Sequence, residues 1–500
     1  MRMGRVRQLA LGATALLPVL LAAAPAQADT LQEALTAAYR NNPTLAAARA
    51  GQRATDESVP IQKAAGRPNL DATGRYLEFV KQAGDNFINP DRLATAELSL
   101  AVPIYSGGAV KNGIRGADAR VGAGRADLRG TESSIFSQTV AAYMDVLRGQ
   151  ALVGLQANQI DVLSVNLQAT SDRFEIGDLT RTDVAQSQAR LALAQSDLRT
   201  AQANLINARE TYTQLTGLMP DDLQPPPPLP GFPASVDDAE DIALAQNPDI
   251  IAAKERARAS GFDVDVAGAG RLPRVSVFSG GTYNNYLGTL GTGGATAPPQ
   301  VTTSVQVGVQ LNLPLFQGGL PAAQRRQAQA REAAALEQVI GAERAVIAQV
   351  RSAWSSWQAA TAVIQSAQTA VDAAALSLEG VRAENSIGNR TILDTLNAEQ
   401  ELLNARVQLV TARRNAYVAG FSLLAAMGRA EARDLGLMEE GLLYDPVANY
   451  ERVKGKWFDW DDDPDPVVTT TGTAAIPPAT ADIPQDSVPQ MDESGNRPGY

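Results

Sequence analysis

Pro103-Ile104-Tyr105-Ser106-Gly107-Gly108 and Pro314-Leu315-Phe316-Gln317-Gly318-Gly319 carry one pattern, Pro-x-aromatic-x-Gly-Gly, written twice 211 residues apart. The correspondence extends in both directions. Downstream, Ile176-Gly177 matches Ile387-Gly388, Asp183 matches Asp394, and Thr216-Gly217 falls on Met427-Gly428, all at the same offset. Upstream, Asn42-Pro43 returns as Asn247-Pro248 and Arg67-Pro68 as Leu272-Pro273, at an offset of 205. The chain is an internal duplication whose halves differ in length only between residues 68 and 103 of the first copy. A stretch that accepts six more residues in the second copy is expected to be a surface loop.

Between Pro273 and Pro314 the periodicity changes from helical to alternating. Val305, Val307, Val309, Leu311 and Leu313 are separated by Gln306, Gly308, Gln310 and Asn312, which makes one apolar face and one small polar face. Residues 69–80, 93–103 and 274–283 alternate less cleanly, and each is about 10 residues long, the length of a tilted strand crossing a bilayer. Polar tips near Gly84-Asp85-Asn86 and over 291–299 would join them into hairpins at about residues 69–103 and 274–314. A soluble hairpin laid on a core would account for either pair alone. Two long hairpins in a chain that also carries an export signal favour an outer-membrane barrel. Four strands cannot close one, because a spanning barrel needs about eight, so several copies must contribute.

The remainder of each half reads as helix. Residues 107–173 and 319–385 are both 67 residues long, roughly 100 Å each at 1.5 Å per residue. Residues 31–67, 181–216, 236–272 and 392–428 are 37, 36, 37 and 37 residues. Two short helices end to end therefore equal one long one. The seam is a 3.5-residue repeat: Val184, Ser187, Leu191, Ala194, Leu198, Ala201, Leu205, Ala208, Tyr212, Leu215. Its register returns as Thr395, Ala398, Leu402, Ala405, Leu409, Ala412, Ala416, Ala419, Leu423, Ala426. A second stripe one position on, Leu396, Leu403, Val410, Tyr417, Leu424, lets that helix touch neighbours on both sides, as in a hollow palisade.

Composition narrows the chemistry. With 500 residues but no cysteine and no histidine, disulfides, thiolate nucleophiles, histidine triads, haem ligation and almost every zinc site are excluded. No catalytic residue, cofactor or metal is expected, and no Gly-x-x-x-x-Gly-Lys phosphate loop occurs, so the chain is not expected to be an enzyme. Residues 1–28 read as a signal peptide: Arg2, Arg5 and Arg7, an apolar stretch over 9–24, then Ala26-Gln27-Ala28. Losing those arginines takes the net charge from −11 to −14, which argues against nucleic acid as a partner. No later stretch is long and apolar enough for a membrane helix, and without cysteine no lipid anchor is expected.

Residues 386–406, Ser386-Ile387-Gly388-Asn389-Arg390-Thr391-Ile392-Leu393-Asp394 and on through Glu399-Gln400-Glu401-Leu402 to Asn404-Ala405-Arg406, resemble the second helix-turn-helix of the TolC family of outer-membrane efflux and secretion ducts. Arg173-Phe174-Glu175-Ile176-Gly177 with Thr182-Asp183-Val184 resembles the first. The resemblance covers about residues 30–460. It implies a mixed, mostly α fold: a homotrimer with a 12-stranded outer-membrane β-barrel, four strands per protomer, continued by a 12-helix periplasmic α-barrel. It implies an exit duct docked by a periplasmic adaptor (membrane fusion) protein onto an inner-membrane ABC or RND-type pump. Tyr444-Asp445-Pro446-Val447-Ala448-Asn449-Tyr450 and the second-half motif lean toward type I secretion. The alternative is a structural or adhesive coiled-coil envelope protein anchored by its strands.

The organisation expected is a first repeat over 29–217 with a periplasmic turn at 174–180, a Pro-rich linker over 218–235, and a second repeat over 236–428 with its turn at 386–391. A non-repeated element over 429–460, which in the family belts the tunnel's middle, and a disordered acidic, Pro/Thr-rich tail over 461–500 follow. The turns at Gly177 and Gly388 stand farthest from the strands. Thr180-x-x-Asp183 and Thr391-x-x-Asp394 fit capping boxes, while three copies of Asp394 could equally ring a narrow entrance and draw cations. By resemblance Arg390 ties one coiled-coil pair to its neighbour through Thr182 and Asp183. Asn397 stands where a second ring acid is often found and Asn385 where a gating Tyr can sit, so the closing network is expected to be thinner. Tyr76, Phe79, Tyr105, Phe278, Tyr283 and Phe316 are candidates for interfacial girdles or for packing.

Overall fold

A computed structural model of the chain describes residues 30–81, 90–290, 298–437 and 443–483. The expected signal peptide, the hairpin tips at 84–86 and 291–297, and the end of the tail from 484 lie outside them. The elements run α1 (Leu31–Asn41), α2 (Pro43–Asp56), α3 (Ser58–Ala64), β1 (Asn69–Glu78), β2 (Arg92–Tyr105), α4 (Ala109–Glu175), α5 (Arg181–Thr216), α6 (Val236–Gln246) and α7 (Pro248–Gly268). A 3-10 turn at Ala269–Arg271 leads to β3 (Arg274–Asn285), β4 (Val301–Asn312), α8 (Leu320–Ser386), α9 (Ile392–Ala426) and α10 (Ala448–Val453). Among the described residues no helix is long and apolar enough to cross a membrane.

The long helices α4 and α8 are each 67 residues. Both start directly after the Gly-Gly pair, because Gly108 and Gly319 sit at φ +87° and +85°, a left-handed bend that turns strand into helix and that other residues resist. α2 and α3 lie beside α4, and α7 lies between α4 and α8. Farther from the strands, α5 flanks α4, and α9 lies between α4 and α8. The chain is thus a wall of helices rather than a ball. It exposes 31,216 Å², whereas a compact protein of this mass exposes about 18,000 Å².

The four strands form one antiparallel sheet in the order β1-β2-β3-β4. Its register resolves the alternation that was weak in single strands. Leu70, Ala72 and Tyr76, then Leu98, Leu100 and Val102, then Val275 and Val277, then Val305, Val307, Val309 and Leu311 share one face. Asp71 and Arg75, Glu97 and Ser99, Thr282, and Ser304, Gln306 and Gln310 share the other. The apolar face is solvent-exposed in the single chain, Val305 and Val307 at 85% and 78%. Tyr76 and Tyr283 stand on it. Phe278 does not: it is on the polar face opposite Gly308, where a Cβ would meet its ring at 2.8 Å, so it packs within the sheet.

Of the four short stretches, 181–216 and 392–426 run as single helices, as their lengths suggested, but 31–67 and 236–272 do not. Each of these two breaks at an Asn-Pro step, because the proline starts a new helix and the asparagine caps it. Asn42 accepts from the Thr44 and Leu45 amides and donates its Nδ2 to Leu215 O at 3.1 Å. Asn247 accepts from the Asp249 amide and donates to Ala426 O at 2.8 Å. Both are nearly fully buried. One side chain thus finishes α5 or α9 and starts α2 or α7, which holds the short helices end to end. The largest core gathers at this level, with Phe136, Tyr143, Leu205, Tyr212 and Phe421.

Two expectations for the C-terminal part need correction. Residues 430–437, with Leu443 and Tyr444, do pack into this core, but the segment then climbs away from it toward the sheet. The Tyr444 amide donates to Tyr39, Asn449 to Asp56, Lys63 to the Lys454 carbonyl and Arg67 to the Lys456 carbonyl, so residues 444–456 track residues 39–67. The tail expected to be disordered from 461 returns in extended form. Arg209 grips the Thr480 and Asp482 carbonyls at 2.6 and 2.8 Å, and Glu210 accepts from the Ala479 amide at 2.9 Å. Backbone bonding to a buried arginine orders a sequence whose composition alone argues for disorder.

Candidate functional site

The end of the helical wall opposite the sheet is made by two matching turns. Gly177 and Gly388 take positive φ after α4 and α8. In the first turn Arg173 Nε reaches Asp178 at 2.7 Å, and in the second Arg390 Nε reaches Glu384 at 2.7 Å. Arg173 and Glu384 occupy the same place in the repeat, so each turn is stapled by an ion pair of opposite sense. Both pairs are half exposed, so solvent screens them and neither adds much to stability. Asn385 donates Nδ2 to the Arg390 carbonyl at 2.8 Å and holds the second turn from inside.

Both capping boxes are formed. Asp183 Oδ2 accepts from the Thr180 amide and hydroxyl at 2.9 and 2.7 Å, and Asp394 Oδ2 from the Thr391 amide and hydroxyl at 3.0 and 2.8 Å. These bonds, the hydroxyl first, hold both carboxyls below their usual range, and Arg390 adds to the effect at Asp394. The acids are exposed and stay charged at neutral pH. A depressed folded-state pKa means the contribution is complete above the ordinary value of 3.8 and lost as pH falls through the lower folded value. We therefore expect T391A to lower stability by about 1 kcal/mol at pH 7. The deficit relative to the parent should shrink by pH 3, as read by thermal unfolding. A deficit of equal size at both pH values would mean that the carboxylate contributes nothing.

Of the residues singled out from sequence, Asn385, Arg390, Thr391 and Asp394 come together at one turn. Thr182 and Asp183 belong to the other, where Thr182 is exposed, and within one chain Arg390 is engaged by Glu384. Asn397 accepts from Arg190 Nη2 at 2.8 Å, which joins α9 to α5. Behind it lies a group that the sequence reading passed over. Glu399, 2% exposed, accepts from Asn166 Nδ2 at 2.8 and 2.9 Å and from Arg382 Nη2 at 3.1 Å. Asn166 is on α4 of the first helical pair, whereas Arg382 and Glu399 are on α8 and α9 of the second. Leu396, packed with Leu163 and Ala194, completes this joint.

The geometry of sheet, wall and turns matches proteins already known. Residues 34–218 and 241–429 match the family model described as outer membrane efflux protein. The outer membrane efflux protein BepC of Brucella suis is 34% identical over 90% of this chain and 96% of its own length. The outer membrane protein TolC of Escherichia coli is 26% identical over 85% of this chain and 88% of its own. Among solved structures, the outer membrane protein VceC of Vibrio cholerae superposes with a TM-score of 0.68 at 23% identity, covering 80% of this chain and 96% of that one.

Proposed function

This chain belongs to the outer membrane efflux protein family and is an outer-membrane exit duct for efflux and type I secretion, and we propose how its geometry makes one. Three copies close round an axis, the free β1 edge of each pairing with the β4 edge of the next. The 12 strands turn their apolar faces to lipid and their polar faces to a lumen, and the helical walls continue the lumen through the periplasm. The observation that supports this most directly is the register, which sorts four individually ambiguous strands into one apolar and one polar face. An open-edged sheet of this kind is stable only when its edges are paired.

The turn end is the periplasmic entrance. Three copies of Asp394 would face one another there, with the Asn397 amides above them, giving a modest cation preference. Energy comes from elsewhere: a periplasmic adaptor links the tip to an inner-membrane ABC or RND-type pump. Single-channel recording on the full-length protein in planar bilayers is the test. A conducting trimer is expected, with D394N lowering cation preference several-fold while leaving conductance nearly unchanged. A protein that inserts as a trimer yet never conducts, even with Asp183 and Arg390 replaced, would be an anchored structural protein instead.

A further inference from the structure

Trp457-Phe458-Asp459-Trp460 form an exposed aromatic tip, with Trp457, Phe458 and Trp460 at 56%, 79% and 92% exposure. The tip is built rather than loose. Its turn closes through the Asp461 amide to the Phe458 carbonyl at 3.3 Å. Its two limbs are pinned below, Arg452 donating twice to Asp463 at 2.6 and 2.7 Å and Lys456 Nζ reaching the Asp461 carbonyl and Asp463 at 3.1 Å. Its position is fixed by Arg67, which donates to the Lys456 carbonyl at 2.7 Å and lies 4.6 Å from the Trp457 ring centre. Two residues after Arg67, at Asn69, β1 begins, and Leu70 opens the apolar face of the sheet.

We propose that this tip is a membrane-interface anchor, Trp457, Phe458 and Trp460 lying in the headgroup layer of the periplasmic leaflet at the foot of the barrel. The proposal rests on the reading of the sheet as membrane-spanning. Tryptophan beside a cationic side chain is the combination that settles at such an interface, with its apolar ring buried and its N–H wet. Lipid is favoured over a second copy as the occupant because the tip stands level with the start of the apolar sheet face. Charge selects the lipid. Asp461 and Asp463 are matched by Lys456 and Arg452, which leaves the exposed Asp459 and Asp462 to meet ammonium headgroups such as those of phosphatidylethanolamine. A chain with no cysteine for acylation gains in this way a second hold on the leaflet.

The four tryptophans make the test direct, since W354F with W357F leaves only Trp457 and Trp460. The full-length variant is reconstituted into phosphatidylethanolamine/phosphatidylcholine vesicles with or without bromine on the acyl chains near the headgroup. Tryptophan emission should fall by on the order of half with brominated lipid, equally at low and high salt, because burial of rings rather than charge holds the tip. A control chain lacking all four tryptophans and carrying V307W reports the sheet. Quenching in the control but not at the tip overturns the anchor and leaves the barrel reading intact, and blue-shifted yet unquenched tip emission would assign the tip to a neighbouring copy. Quenching abolished by salt would make the contact mere electrostatic adsorption and overturn the anchor too. No quenching at either place would overturn both readings.

Discussion

G428A, the addition of one methyl group, is expected to cost about 3 kcal/mol or more and to leave little assembled protein. Gly428 sits at φ +75° just after α9, and a Cβ there would lie 2.6 Å from the Gln246 carbonyl oxygen and 3.0 Å from the Asn247 Cα. Both are backbone, so neither can swing aside. They belong to the joint where Asn247 ends α6, starts α7 and caps α9, so relief of the clash would pull apart the stacked helices. The repeat supplies its own control. Gly217 has a similar φ of +74°, but the nearest atom to an added Cβ is Asn41 Cβ at 3.2 Å, an overlap that a shift of a few tenths of an ångström relieves. G217A should therefore cost only about 1–2 kcal/mol, the left-handed conformation alone. Thermal unfolding of both variants in detergent decides the matter: equal losses would mean that backbone conformation accounts for everything and the joint for nothing.

Much of this architecture was legible because it is written twice. The duplicated Pro-x-aromatic-x-Gly-Gly motif located both strand-to-helix turns, and the 67-residue stretches placed α4 and α8 to within two residues. What escaped was carried by contacts between segments distant in sequence. The Asn-Pro steps were visible as repeat markers, yet their role depends on the Leu215 and Ala426 carbonyls, which no local pattern indicates. The ordering of residues 461–483 depends on Arg209, more than 250 positions upstream. Glu399 is the instructive case, since a signal was present. In α9 Glu399 lies between Leu396 and Leu403 of the second stripe, and Arg414 lies between Val410 and Tyr417. Charges interleaved in an apolar seam mark partners across it, as Arg414 on Asp145 of α4 at 2.8 Å also shows.

E399A is expected to loosen the proposed entrance more than any change at exposed Asp394 or Arg390. Asp394 and Arg390 are at the surface, where water replaces whatever a substitution removes, so D394N should alter selectivity and R390A should leave the unfolding temperature nearly unchanged. Glu399 is buried, and its carboxylate carries the bonds to Asn166 that bridge the first helical pair to the second. Removing it strands Asn166 and leaves a void beside Leu396. Arg382 is half exposed and can rehydrate, so the cost falls below that of a fully buried pair, at about 2–3 kcal/mol. Within the second pair E399A loses only the bond from half-exposed Arg382, because Ala398, Leu402 and Ala405 still pack on Ala367, Val371, Ala374 and Leu378. The loss thus falls mainly on the contact between pairs, and the pairs should part at the tip while each stays folded. In planar bilayers E399A should raise single-channel conductance, with E399Q intermediate because it keeps the volume and one acceptor oxygen. If E399A unfolds at lower temperature while its conductance equals that of the parent, the bridge is structural and the entrance opens by some other contact.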